Sequence, residues 1–256
     1  MASERLFSLF LRRSGPRAND LGKMTLPELV VAYATYPTII VYVLLCIASI
    51  AASVALGAVH APIRALAAVA ATIAVYPFVE YLLHRFVLHG RWLYKNPLTA
   101  DLWKRIHYDH HQDPNRLDVL FGSLSNTLPT IVVIGLPVGW LIGGAPGAFA
   151  ALATAFVIIS IYEFCHCVQH LNYTPKSAWL RRIKKHHMAH HFHNETGNFG
   201  ITSTFIDRFV GTLYEDRETR PKSAHNYDLG YDRAEAERYP WVAQRSPVAP
   251  DAPSRR

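Results

Sequence analysis

The chain has 256 residues, half of them hydrophobic, with a formal net charge of +7 and three cysteines. Three cysteines exclude a disulfide framework. The basic excess would suit a nucleic-acid surface, but its uneven distribution along the chain excludes that partner and points to a membrane.

Residues 1–27 form a short basic lead, with an interfacial helix expected around Leu6 to Leu11. No apolar segment of signal-peptide length precedes the first long apolar run, so no removable targeting sequence is expected. No charged residue occurs from Leu29 to Ile63, from Ala65 to Val79, or from Val119 to Tyr162. A membrane span takes about 20 apolar residues, and a charge at the bilayer centre costs roughly 2.5–3.5 kcal/mol. The first two runs make a hairpin over 28–83, turning near Gly57 to Pro62. The third makes a second hairpin over 120–165, turning at Gly143-Gly144-Ala145-Pro146-Gly147. Lys and Arg number five before the first span, six from Arg85 to Arg116 and fourteen after His170, leaving only Arg64 for the opposite face. That asymmetry places both termini and both large loops in the cytosol, with a bacterial inner membrane favoured over the endoplasmic reticulum. The expected fold is an all-α integral membrane protein. Four transmembrane helices in two hairpins carry a cytosolic helical cap with a histidine-rich di-metal site. Residues 28–214 form this membrane domain, and 215–256 form a polar tail expected to be disordered.

Thirteen of the fourteen histidines fall on the cytosolic side of this topology. A helix advances 100° per residue, so positions i, i+3 and i+4 lie within a 100° arc. His107, His110 and His111 have that spacing, as do His187, His190 and His191, while His166 and His170 are i and i+4. His84 and His89 are five apart, which on a regular helix separates them by 140°. Gly90 follows, so His84 is read in the last helical turns and His89 at or beyond the helix end. Imidazoles converging from helix faces are what a transition metal needs. A single histidine is usually an ordinary surface or core residue, but ten in four spaced groups at one membrane face make a metal site. The two halves also run alike, from hairpin to glutamate, histidine pair and H-x-x-H-H, which suggests duplication or merely two hairpins feeding one site.

His186 and His193 lie off the ligand face and are read as surface or supporting groups; His60 and His225 are background. Glu80 and Glu163 precede histidine pairs, and each either pairs with arginine or accepts a ligand ring N–H. Trp92, Tyr94 and Trp103 read as an interfacial aromatic belt. Cys165 and Cys167 flank His166 and read as small packing residues. Pro114-Asn115-Arg116 reads as a turn. A carrier would need polar groups at the midplane, which these spans lack. A bis-histidine haem would need facing pairs deep in the helices, whereas these crowd one edge.

Taken together, these residues resemble the fatty acid hydroxylase superfamily, the membrane group that includes sterol desaturases and sterol methyl oxidases. The segment Glu80-Tyr81-Leu82-Leu83-His84-Arg85-Phe86-Val87-Leu88-His89 is similar to the opening box of its fatty acid 2-hydroxylase branch. The later histidine groups match the later boxes. Asn198-Phe199-Gly200-Ile201-Thr202-Ser203 and Asp207-Arg208-Phe209-Val210-Gly211-Thr212 resemble the closing signature. The resemblance implies two metal ions held by His84, His89, His107, His110, His111, His166, His170, His187, His190 and His191. It implies a monooxygenase that uses dioxygen and iron, with zinc able to occupy the isolated protein, and electrons from a separate electron-transfer protein. The implied substrate is a lipid acyl chain, hydroxylated beside its carboxyl carbon. The chain departs from the branch at Arg116, where an acidic residue is usual, and near Gly122-Ser123, where two prolines are. Those positions leave acyl substrate and regioselectivity open. A sterol or carotenoid hydroxylase or desaturase of the same superfamily is the alternative, and a non-enzymatic metal- or haem-binding protein a more distant one.

Overall fold

The computed structural model describes residues 20–245, so the expected helix around Leu6 to Leu11 lies outside the described residues. We number the helices α1 Leu26–Ala34, α2 Pro37–Ala55, α3 Pro62–Leu82, α4 Pro97–Trp103, α5 Asp109–Gln112, α6 Leu117–Leu120, α7 Leu124–His170, α8 Ala178–Phe192, α9 Phe205–Val210 and α10 Arg233–Arg238. Extended pairing among the described residues is limited to an isolated bridge between Asp20 and Arg116. By contacts the described chain divides into two compact units. One comprises Pro27–Pro77 and Phe121–Phe164; the other comprises 20–26, Phe78–Leu120 and 165–245.

The first unit holds most of the long apolar helix. Pro37 opens α2 with Tyr36 extended before it, as the ring of a proline at the first helical position requires. Gly57 ends the run at φ +100°, a left-handed conformation that glycine takes without steric cost. Among the described residues, three stretches are long and apolar enough to cross a membrane: Pro37–Ala55, Pro62–Leu88 and Leu117–His170. The third has 54 residues. As one straight helix it would run about 80 Å, against a hydrocarbon core of about 30 Å. It does not run straight. Gly144 breaks α7 at φ 60°, ψ −152°, inside the turn signal read from the sequence. The two arms then fold back on each other, so that a Cβ on Gly139 would strike the Gly147 carbonyl oxygen and lie 2.6 Å from Ala151 Cβ. Small residues on both arms permit that approach. Large apolar side chains face outward: Leu141 is 85% exposed, Ile63 81% and Val133 71%. An aqueous surface does not present such a continuous apolar exterior. Polar groups inside find partners, as Tyr42 Oη donating to Thr127 Oγ1 at 2.6 Å and Tyr33 Oη to the Ser160 carbonyl at 2.6 Å show.

The second unit is short helices and loops. Leu83–Leu88 and Lys104–Tyr108 are π-helical. Such turns close i to i+5 and concentrate at functional sites. Residues 215–245 are not the disordered tail expected from their polarity. Leu229, Tyr231 and Val242 are buried against Tyr94, Trp103 and Tyr108. Tyr94 Oη donates to Glu235 Oε2 at 2.7 Å, and Trp241 Nε1 to the Tyr94 carbonyl at 2.7 Å. A few spaced aromatics anchor a segment whose average composition is hydrophilic. The same cluster corrects the aromatic belt: Trp103 and Tyr94 are buried core, and only Trp92 is exposed.

Candidate metal centre

All ten predicted histidines lie in the second unit, and their rings gather into one cluster. The helix faces do not each serve one place, however. His110, His166, His170, His187 and His191 form one group and His84, His89, His107 and His190 another, with donor atoms within 4.8 Å of one another in each group. Each H-x-x-H-H stretch is therefore split: His110 goes one way and His107 the other; His187 and His191 one way and His190 the other. His111 belongs to neither group by that measure, but its Nε2 lies 3.1 Å from His107 Nε2 and its ring stacks at 4.1 Å on His191.

The spacing of His84 and His89 has a different explanation from the one expected. The amide of His89 donates to the His84 carbonyl at 3.1 Å, an i to i+5 bond closing the π turn. Residues five apart are then neighbours on one face, rather than 140° apart as on a regular helix. Their rings sit 5.0 Å apart. His166 and His170 use the ordinary i, i+4 spacing at the end of α7, and α8 presents His187 and His191 the same way.

Main-chain carbonyls fix several rings. The Nδ1–H of His84 donates to the Phe199 carbonyl at 2.5 Å, that of His190 to Gly197 at 2.8 Å and that of His111 to Asn226 at 2.7 Å. With the proton held on Nδ1, the Nε2 lone pair is left for the cluster interior. There the Nε2 atoms crowd together: His84 and His107 at 3.1 Å, His107 and His89 at 2.9 Å, His166 and His110 at 3.0 Å, His170 and His187 at 2.8 Å. Burial, and secondarily repulsion from neighbouring histidines, holds His89, His107, His110, His187 and His191 well below the ordinary imidazole pKa. Burial pushes His111 down to about 3, against the opposing pull of the Asn226 carbonyl. The rings are thus neutral, which is the ligating form.

The cluster fits metal ions rather than a packed core. Nδ1 of His110, His170 and His187, and both ring nitrogens of His191, are buried without a hydrogen-bond partner. Each such group costs about 1–3 kcal/mol if nothing satisfies it. Convergent, neutral, nitrogen-only donors are the set that suits zinc, copper, nickel or iron.

Other predicted roles change. Glu80 Oε1 accepts the amides of Ile201 and Thr202, and its Oε2 the Thr202 hydroxyl. Glu163 Oε1 accepts the Gly122 amide at 3.0 Å. His186 is buried, not a surface residue, and lies outside both groups. His193 Nε2 donates to the Arg220 carbonyl at 2.7 Å. His225, read as background, contacts Asp228 at 2.9 Å beside the Asn226 that holds His111. Cys165 and Cys167 are buried and lie outside both groups, in keeping with packing. The turn at Asn115 also holds the segment around Leu21, its carbonyl accepting the Leu21 amide at 2.8 Å. The basic run of α8 is largely committed within the protein. Lys184 Nζ caps the Leu171 and Tyr173 carbonyls at 2.5 and 2.9 Å, Arg181 binds the Pro175 and Lys176 carbonyls, and Arg182 pairs with Glu215. Residues missed in the sequence are the hosts of the accepting carbonyls, Phe199, Gly197 and Asn226, whose main-chain role has no side-chain signature. The buried Asp207, set between Ile206 and Phe209, was visible only as part of the closing signature.

The family model described as fatty acid hydroxylase matches residues 69–212, which contain every histidine of both groups. The ceramide very long chain fatty acid hydroxylase SCS7 of Saccharomyces cerevisiae is 32% identical over 145 residues, covering 54% of this chain and 35% of that protein. The fatty acid 2-hydroxylase of Rattus norvegicus is 29% identical over 153 residues, covering 58% and 39%. The dihydroceramide fatty acyl 2-hydroxylase FAH1 of Arabidopsis thaliana is 30% identical over 154 residues, covering 55% and 58%. The chain thus spans little more than a third of the length of the yeast and rat relatives. A solved structure of full-length scs7p, with only the hydroxylase domain visible, superposes with a TM-score of 0.52 at 25% identity, over 79% of this chain and 71% of that one. These relatives are eukaryotic and lend the expected bacterial inner membrane no support.

Proposed function

The chain belongs to the fatty acid hydroxylase family, and from that premise we propose that it is a membrane-bound, dioxygen-dependent lipid hydroxylase with two iron ions in the histidine cluster. The observation that carries this reading is the pair of buried imidazole groups, nine rings whose donor atoms lie within 4.8 Å inside each group. His110, His166, His170, His187 and His191 would hold one ion; His84, His89, His107 and His190 the other, with His111 between them. When bound, the metal supplies the oxidant that no side chain here can provide. The overall change is R–H plus O2, two electrons and two protons to R–OH plus water, with the electrons coming from a separate donor protein.

The chain's own residues do the remainder. Carbonyls 197, 199 and 226 keep three Nε2 lone pairs aimed inward, and burial keeps the rings neutral and water out. The two arms of α7, with α2 and α3, make four spans whose turns, near Gly57 to Pro62 and Gly143 to Gly147, face away from the cytosol. Arg64 is the single basic residue beside the two turns, which supports that topology. A cysteine placed at Ala145 that reacts only from the cytosolic side would refute it.

The target is an acyl chain, hydroxylated at the carbon next to the carboxyl. Relatives named as 2-hydroxylases support this. A basic α8 holding the lipid head does not, because Arg181, Arg182 and Lys184 are engaged within the protein. Mass spectrometry of fatty acids from cells expressing the chain, against cells lacking it, tests the reading. A mid-chain hydroxyl, a new double bond or an altered sterol or carotenoid would sink the positional assignment and leave the metal centre standing.

A further inference from the structure

The loop 198–203 is held by two buried carboxylates that grip four consecutive amides. Asp207 is 1% exposed. Its Oδ1 accepts the Phe199 amide at 2.9 Å and the Thr212 hydroxyl at 2.7 Å, and its Oδ2 accepts the Gly200 amide at 2.7 Å. Glu80 takes the next two amides, those of Ile201 and Thr202. The two carboxylates are not equivalent. The Gly200 N–H and the Phe199 carbonyl are opposite ends of one peptide group, and that carbonyl accepts the His84 Nδ1–H at 2.5 Å. The path therefore runs carboxylate, peptide group, imidazole, with a single hydrogen bond at each junction. On the far side of Glu80's Thr202 amide, the Ile201 carbonyl accepts from Gln169 Nε2 at 2.6 Å, which is no member of either histidine group.

The geometry points to Asp207 as a positioning residue that acts on the four-histidine group through the Phe199–Gly200 peptide, making His84 the stronger electron donor at Nε2. A negative charge at the N–H end of an amide drives electron density toward its oxygen. Hydrogen bonds in series strengthen one another by about 10–30% each, and more basic acceptors raise the donor strength of a ligating imidazole. Upstream, Arg85 donates to Tyr81 Oη at 2.5 Å, and Tyr81 meets Thr212 Oγ1 at 3.2 Å. Because the Thr212 hydroxyl donates to Asp207, Tyr81 donates to Thr212, so the guanidinium stays three hydrogen bonds away and does not neutralise the carboxylate directly. An internal control lies in the same group. His190 donates to the Gly197 carbonyl, but the amide of that peptide, Asn198 N–H, donates to the neutral Thr212 carbonyl at 3.1 Å. His84 has a charge behind its acceptor; His190 has none.

The inference rests on His84 being a metal ligand, but its first test needs no metal. The full chain, metal-free in detergent with 15N-labelled histidine, gives ring N–H signals assigned by their loss in His84→Gln and His190→Gln. The His84 Nδ1 proton is expected downfield of that of His190. Asp207→Asn is expected to move the His84 signal upfield and leave that of His190 in place, while Glu80→Gln, which loosens the same loop, moves it less. A His84 proton at or upfield of the His190 proton in the unmutated chain overturns the relay, whatever the variants do. Equal shifts from both variants also overturn it, leaving Asp207 as loop scaffolding. Adding Co2+ to the same samples, Asp207→Asn is expected to weaken binding about 10- to 100-fold, the usual effect of losing an outer partner of a metal ligand. Glu80→Gln is expected to weaken it less. If the unmutated chain shows the proton pattern but binds no Co2+, the relay is supported and the metal reading fails.

Discussion

The two histidine groups are oriented by different means. In the five-histidine group, His166 with His170 and His187 with His191 are i, i+4 pairs on regular helix, and Nδ1 of His110, His170, His187 and His191 meets no carbonyl. In the four-histidine group, His84 and His107 lie in π-helical turns, and His84 and His190 are steered by the Phe199 and Gly197 carbonyls. Regular helix geometry aims side chains by itself. An outside acceptor adds a second constraint, for His84 in its π turn and for His190 on the regular helix α8. The loop 194–203 supplies both acceptors, and the segment around Asn226 does the same for His111, outside both groups.

The largest test of that contrast removes a ligand from each side. His187→Ala and His89→Ala are both expected to empty the centre and abolish product formation, from about two ions per chain by elemental analysis, whereas His60→Ala does neither. Full metal in His187→Ala would remove the five-histidine group as described. Next in size is deletion of 215–256. It takes away the Asn226 carbonyl and the Tyr231 and Val242 packing, so metal affinity should fall about 10- to 100-fold. Unchanged affinity would show that the segment is dispensable. Gly200→Ala acts on the loop side alone. A Cβ there would meet the Ser203 carbonyl group, lying 2.9 Å from its carbon, and such overpacking costs about 1–3 kcal/mol. A lowered melting temperature with His84 detached is expected; an unaltered one would mean that the loop yields freely.

The smallest expected effect is acid sensitivity. Burial holds the His111 pKa at about 3 in the folded chain, whereas an unfolded histidine titrates near 6.5. Above about pH 6.5 both states are neutral and stability is full. As pH falls below that, the unfolded chain binds protons that the folded one refuses, so stability and metal retention decline toward pH 3. Metal content that stayed flat from pH 8 to pH 4 would contradict this.

Much of this was legible in the sequence because spacing is local. H-x-x-H-H states which side chains share a helical face, and the charge-free runs with their Gly-Pro turn state where the helices lie. Which neighbour each ring meets is not local. His110 and His107 share an arc yet serve different groups, and the π turn that joins His84 to His89 depends on packing that no periodicity shows. Main-chain acceptors are silent for another reason, since any residue offers a carbonyl. Residues 215–245 misled because averaging composition hides four aromatics, Tyr227, Tyr231, Tyr239 and Trp241, at useful places. Arg181, Arg182 and Lys184 of α8 likewise look available in sequence until their partners, main-chain carbonyls for two and Glu215 for Arg182, are known.

The division of each H-x-x-H-H stretch between the two groups has a thermodynamic consequence. His107 with His110, and His187 with His190, stand a single turn apart on one backbone, so ordering either ring orders the turn beneath the other. Occupation of one group therefore prepays part of the conformational entropy of the second, and linkage requires the favour to be returned equally. Titration of the metal-free chain should then be sigmoidal, half-filled molecules should be scarce, and a chelator should strip both positions as a unit.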